Sequence, residues 1–401
     1  CAETQVQVRG RFRIRAIESP STPPGDTRLP TYEVLDEHPH GLVVPPREVL
    51  GARPPMVGRD VEIAQLKALL DRTVSDSSPQ VVTVIGAPGI GKSRLAHELR
   101  CHVEGLDDDV LTLAGRADEN YSGTPLTLWA SAIRAKSGVL AGEDHDASVR
   151  KLREFTRFML GPASDPTAET IDALALLLGL RSTEPGTDAL RGRVFAVLVD
   201  LLRGVTQRMP LLLVLEDVHW ADRPSLDLLD LLLDRLADRA VFVLLLGRPE
   251  FLDVAPGLLA SKDFHTRLDL RPISSRAGAA LVKHVLGNDM PADVLARVVA
   301  RAEGTPLFLE EILHVLAEDG ALARDGKCWR VARKIDTVDI PLTVEAVLQA
   351  RLDLLPPTER DLLQKQTGVE VFEQGGRLAA FHDKPILVLP TMNREVGQYA
   401  P

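Results

Sequence analysis

Residues 86–93 read GAPGIGKS, a complete G-x-x-x-x-G-K-[ST] pattern with its fixed positions at Gly86, Gly91, Lys92 and Ser93. Glycines let the backbone wrap a phosphate chain, while successive N–H groups and the N-terminus of a following helix supply partial positive charge. Lys92 can reach β- and γ-phosphates, and the Ser93 hydroxyl can bind Mg²⁺. The segment Gly86, Ala87, Pro88, Gly89, Ile90, Gly91, Lys92, Ser93 and Arg94 is therefore the candidate nucleotide-binding loop. It needs a strand before it and a helix after it. VVTVIG (81–86) is short, β-branched and apolar, as buried parallel strands are, and a helical pattern runs from 92 to 104.

The same alternation continues downstream. VLTLAG (110–115), LLLVLED (211–217), VFVLLLG (241–247) and TRLDL (266–270) read as strands, with helical patterns at 59–71, 125–208 and 225–238. Strands alternating with helices predict an α/β fold: a parallel sheet covered on both faces. Past residue 275 the strands are expected to stop, giving way to helices at 275–287, 291–303, 307–319 and 343–354, an all-α lid domain. Before the α/β region, 5–16 alternates with period two and 31–35 reads as a short strand, while the proline-rich 36–55 reads as a linker. The expected domains are 1–35, the linker 36–55, an α/β domain at 56–274, a helical domain at 275–365 and an unplaced tail at 366–401 containing PILVLP.

Composition narrows function further. With 57 acidic and 47 basic residues in 401, the net charge of −10 argues against bulk binding to nucleic acid or anionic lipid. Apolar residues at 45% and charged residues at 26% exclude a disordered chain, a collagen and a coiled-coil rod. Cys1, Cys101 and Cys328 have neither metal-ligand spacing nor an even count, which points to a reducing compartment. No apolar run reaches the ~18–20 residues of a membrane span, and the first thirty residues lack a signal-peptide core. A cytoplasmic location is expected. The first residue is Cys rather than Met, so the sequence is expected to begin inside a longer polypeptide.

The strand at 211–217 ends in Glu216 and Asp217. A nucleotide site needs one carboxylate near the Mg²⁺ shell and one group to orient water, and acids at the carboxyl end of a buried strand suit both needs. The long interval from the phosphate loop makes the helices at 125–208 an insertion between strands.

These residues resemble the STAND class of AAA+-related signalling ATPases, especially modules attached to class III adenylate/guanylate cyclases or LuxR-type regulators. MVGRD (56–60) looks like the family's box near the adenine, with Val57, Gly58 and Arg59. GAPGIGKSRL (86–95) is close to its phosphate loop, and LLLVLEDVHWAD (211–222) to its acidic strand. EGTPLFLEEIL (303–313) looks like the Gly-x-Pro segment that lies on the nucleotide, with Gly304 and Pro306. The resemblance implies Lys92 on the β/γ-phosphates, Ser93 and Glu216 at Mg²⁺, and Asp217, also near the metal, activating water. Arg248 matches the family's sensor arginine. His219 and Trp220 are expected to be a hydrogen-bonded histidine and a packed tryptophan. His38, His40, His265 and His284 form no ligand set and are expected at the solvated surface.

VRGRFRIRAIE (8–18) and LPTYEVL (29–35) resemble the closing strands of a class III cyclase domain, whose catalytic residues would lie upstream, so no cyclase activity is expected of this chain. After LPPTERDLL (355–363) the resemblance ends. The function it implies is a slow, ATP- and Mg²⁺-dependent regulatory ATPase acting on a protein partner or on fused sensor or effector domains. Two alternatives stand beside it: the regulatory portion of a cyclase, and the ATPase module of a DNA-binding regulator. No nucleic-acid or membrane contact is expected from this portion.

Overall fold

In the computed structural model the described residues are 12–17, 31–37, 48–106, 109–118, 125–140, 142–161, 163–181, 188–259, 262–288, 290–325, 328–332, 372–374 and 377–379. The chain divides into two compact units. The first comprises 1–45, 60–88 and 92–270, and the second 46–59, the loop tip 89–91 and 271–401.

In the first unit, β1 (Phe12–Ile17) and β2 (Thr31–Glu37) pair antiparallel, with a register shift between Arg13 and Ile14. Helix α1 (Asp60–Asp76) precedes β3 (Gln80–Ile85), all six residues of which are buried. Then come α2 (Lys92–Val103), β4 (Leu111–Arg116), α3 (Thr127–Ser137), α4 (His145–Leu160), α5 (Ala168–Leu177) and α6 (Asp188–Thr206). The unit closes with β5 (Leu211–Glu216), a 3₁₀ turn at Val218–Trp220, α7 (Arg223–Arg235), β6 (Val241–Gly247), α8 (Phe251–Val254) and β7 (His265–Asp269).

β3 to β7 form one parallel sheet in the order β4-β5-β6-β3-β7. The α/β architecture expected from the alternating runs is the one observed, and α3 to α6 form the insertion between β4 and β5. Continuous apolar runs such as LLLVL and VFVLLL are buried residue by residue, because helices cover both faces of a parallel sheet. Trp129 on α3 is 2% exposed and donates from Nε1 to the Ser225 carbonyl at 3.0 Å, locking the insertion to the start of α7. No helix among the described residues is long and apolar enough to cross a membrane.

The second unit has its own core. Helices α9 (Ser275–Leu286), α10 (Ala292–Arg301) and α11 (Pro306–Glu318) pack Leu281, Val282, Val298, Leu309, Ile312 and Leu316 together. Helical segments follow the sheet as expected, but the strands do not stop. β8 (Leu322–Asp325) and β9 (Cys328–Val331) form an antiparallel hairpin. Leu322 is buried in this core and Trp329 and Val331 pack against it, so alternation on one face outweighs a helical continuation. A further pair, β10 (Phe372–Gln374) and β11 (Arg377–Ala379), lies within the tail. Inside the segment read as linker, a tight turn joins Val49 to Ala52, and Val49 is fully buried in the second core. The helix expected at 343–354, PILVLP, His38, His40 and Cys1 lie outside the described residues.

Candidate functional site

β3 ends at Ile85, and the phosphate loop leaves it at the carboxyl edge of the sheet. Gly86 N donates to the Gly247 carbonyl at 3.2 Å, tying the start of the loop to the end of β6. Lys92 turns back over the loop, its Nζ donating to the carbonyls of Gly86 at 2.7 Å and Ala87 at 3.0 Å. Burial lowers the Lys92 pKa to about 8; Asp217, Glu250 and Glu216 oppose that shift and Arg248 adds to it. Phosphate oxygens would satisfy such an ammonium better than two carbonyls, because a charged acceptor makes the stronger bond. Arg94 is spent along its own helix, paired with Glu98 at 2.8 Å.

β5 delivers the acids. Parallel register sets Glu216 opposite Arg116 at the end of β4, and Ser93 Oγ donates to Glu216 Oε2 at 2.8 Å. Burial raises the Glu216 pKa, against the opposing Ser93 hydrogen bond and the charge of Arg116. A carboxylate destabilised by burial and held beside a hydroxyl is a donor set that fits Mg²⁺, which takes one or two protein ligands and fills the rest with phosphate and water. Among the described residues no three His, Cys, Asp or Glu side chains cluster as a self-sufficient metal site. The residues present fit Mg²⁺ carried in with a nucleotide.

Asp217 stands in the left-handed region at φ 54°, ψ 37°. That conformation costs a non-glycine residue energy and turns the chain sharply out of the strand. Its Oδ2 accepts from Arg116 Nε at 2.8 Å and pairs with Nη2 at 2.7 Å. Burial lowers the Arg116 pKa, but the bonded charge of Asp217 together with the charges of Glu216 and Asp118 outweighs it and the net shift is upward. Arg116 is the site residue that sequence reasoning missed. Its only signal was a charged residue ending the VLTLAG run.

The turn after Asp217 carries the His-Trp-Ala-Asp segment. His219 is 8% exposed, and neither ring nitrogen has a partner among the described residues, contrary to the expected hydrogen-bonded histidine. It packs on Trp220 instead, ring centroids 4.8 Å apart, and burial holds its pKa near 4, so the ring is neutral. Trp220 in turn lies under the Arg248 guanidinium, 5.8 Å from the ring centroid. Asp222 caps α7 by accepting from Ser225 N at 2.9 Å and also accepts from Leu126 N at 3.0 Å, a structural role. His265 is not simply solvated: it is half-buried, with Nε2 2.9 Å from Thr83 Oγ1. His284 is exposed as expected.

The remaining candidates belong to the second unit. Arg59 is 5% exposed and donates from Nη2 to the carbonyls of Ile90 at 3.1 Å and Arg271 at 2.6 Å. Leu307 N donates to the Gly89 carbonyl at 3.2 Å, and Gly89 is left-handed at φ +71°, where a Cβ would stand 2.8 Å from Leu307 Cβ. Arg59, the loop tip 89–91 and the start of α11 therefore meet in this unit. Val57 packs against the second core, and Gly58 brings the backbone within 2.7 Å, measured from a notional Cβ, of Ala277 Cβ. Pro306 opens α11, and Gly304 at φ +73° lets the chain press on 272–273.

Residues 55–245 match the family model of the AAA ATPase domain, and the five-stranded parallel sheet with its helices is a P-loop NTPase-like fold. An uncharacterized protein of Rhizobium meliloti (strain 1021) is 28% identical over 281 residues, covering 66% of this chain and 25% of that protein. The chain thus spans about a quarter of the length of the curated relative it matches. Among solved structures, the Aeropyrum pernix ORC1 protein in complex with DNA has a TM-score of 0.46 at 14% identity, over 81% of this chain and 83% of that one. A STAND protein with a tetratricopeptide repeat sensor from Pyrococcus horikoshii has a TM-score of 0.38 at 12% identity, over 80% and 36%. At these scores neither carries an argument about function. The expectation of no nucleic-acid contact gains no support from them.

Proposed function

We propose that this chain is the regulatory ATPase portion of a signal-transduction protein, binding Mg-ATP, hydrolysing it slowly and switching its domain arrangement in response. The observation that carries the nucleotide reading is the 2.8 Å bond from Ser93 Oγ to Glu216 Oε2, which joins the phosphate loop to the acidic strand end. Ser93 and Glu216 would hold the Mg²⁺, which when bound neutralises charge developing on the transferred phosphoryl group. Lys92 would exchange its two loop carbonyls for β- and γ-phosphate oxygens. Asp217, fixed by Arg116, would orient the attacking water, and Arg248 would sense the γ-phosphate. Val57, Gly58, Arg59, Gly304 and Pro306 are proposed as nucleotide contacts by their likeness to the family's adenine-side segments. The odd cysteine count supports a cytoplasmic setting.

The test is nucleotide binding followed by phosphate release. ATP and ADP should protect the protein against heat far better than GTP at matched concentration. ATP protection should depend on Mg²⁺ and vanish in Lys92→Ala. Equal protection by GTP would remove the adenine assignment, and binding indifferent to Mg²⁺ and to Lys92 would remove the site.

A further inference from the structure

Three contacts in the first unit converge on the end of β6. The Gly247 carbonyl accepts from Gly86 N, so the strand end is fastened to the start of the phosphate loop. A Cβ on Gly247 would stand 3.1 Å from Val218 Cγ2 and 3.2 Å from Phe251 Cβ, so β6 packs tightly on the turn at Val218–Trp220 and a side chain there would make these neighbours give by a few tenths of an ångström. The next residue, Arg248, turns under the constraint of its own carbonyl, which accepts from Phe251 N at 3.0 Å, and its guanidinium comes to lie over the Trp220 ring. Against Trp220 packs His219, buried and without a hydrogen-bonding partner among the described residues, the two ring centroids 4.8 Å apart.

We infer that Trp220 is a positioning residue for Arg248, its indole face fixing the guanidinium beside the phosphate loop while His219 packs on the indole. The inference rests on the proposal that Arg248 reads the γ-phosphate. Arginine is mobile on its long stem, and a flat aromatic face restricts the guanidinium plane without consuming any of its five N–H donors. Stacking of this kind leaves the donors for phosphate oxygens, which a carboxylate partner in the same place would not allow. Trp220 ends the 3₁₀ turn that the left-handed Asp217 precedes, so one short turn sets both the acid and the arginine.

The experiment is a double-mutant cycle between Trp220 and Arg248 in the whole chain, read as Kd for ADP and for a non-hydrolysable ATP analogue, each with Mg²⁺. Arg248→Ala is expected to weaken the analogue and leave ADP unchanged. Trp220→Leu should weaken the analogue about five- to tenfold with ADP unchanged. Trp220→Tyr, which keeps an aromatic face, should stay within about twofold of wild type. In the Arg248→Ala background, Trp220→Leu should add nothing. Where Trp220→Leu does not fold, Trp220→Met fills the volume without a π face and is held to the same criterion.

If the Trp220 variants weaken ADP and the analogue alike, or add fully to Arg248→Ala, the tryptophan is packing only and the inference falls alone. If Arg248→Ala itself leaves the analogue unaffected, the sensor assignment and this inference fall together.

Discussion

Arg116 grips a single carboxylate oxygen of Asp217 with two nitrogens, Nε at 2.8 Å and Nη2 at 2.7 Å, across two neighbouring strand ends. A fork held this way orients the carboxylate as well as charging its surroundings. Asp217→Asn should therefore keep Mg-nucleotide binding while turnover falls about a hundredfold or more, since an amide cannot act as base. Arg116→Ala should lower turnover less, about tenfold, by freeing the carboxylate, and Arg116→Lys should not restore it. Phosphate-release rates beside Kd values decide this. Loss of Mg²⁺-dependent binding in Asp217→Asn but not in Glu216→Gln would exchange the two acids' roles.

Lys92 should leave a pH signature in two opposite directions. Its pKa in the folded chain is about 8, against an ordinary 10.5, so the unfolded chain holds the proton more tightly between those values. Stability from this group should rise as pH increases from about 8 to 10.5. ATP affinity should fall over the same interval, because the phosphates need the ammonium. Urea midpoints and ATP titrations at several pH values check both, and Lys92→Met should abolish both slopes.

His219 should contribute to acid unfolding. Its folded pKa near 4 lies below the ordinary 6.5, so stability should decline as pH falls from 6.5 to 4 and the unfolded chain takes up the proton first. His219→Phe breaks no hydrogen bond seen among the described residues and should flatten this part of the profile. An unchanged acid slope in the variant would mean that the ring is already charged or solvated in the native state.

Gly304 and Gly320 share a φ of +73° but not their surroundings: a Cβ on Gly304 would stand 2.5 Å from the Ile273 carbonyl oxygen, whereas one on Gly320 meets nothing within 4 Å. Gly320→Ala should cost only the backbone penalty, about 1–2 kcal/mol. Gly304→Ala should cost about 2 kcal/mol more, because the Ile273 carbonyl it would strike belongs to a residue whose own N–H is held by the Gly304 carbonyl and cannot simply withdraw. Thermal melts of the two variants give the comparison directly.

The sheet was legible because its strands are buried on both faces and carry unbroken apolar runs, and the loop because its chemistry demands fixed glycines. Arg116 was not, since its partner lies 101 residues away and only parallel register brings them together. Local sequence shows a charged residue after a strand, which solvation explains as well. The β8–β9 hairpin had a signal, the Asp325-Gly326 pair between short alternating segments, but the preceding helical period hid it. His219 was misjudged because a buried polar ring normally finds a partner, and here its neighbour is an indole.

The strand order has a consequence for how the chain is made. β3 carries the phosphate loop, yet its two sheet neighbours are β6 and β7, so Gln80 waits for Phe242 before it pairs with anything. Emerging from a ribosome, the loop-bearing strand stays an unpaired apolar edge through the whole of α2 to α7. Shortened chains ending before residue 241 should therefore aggregate or require a chaperone, and nucleotide should rescue only those long enough to include β6.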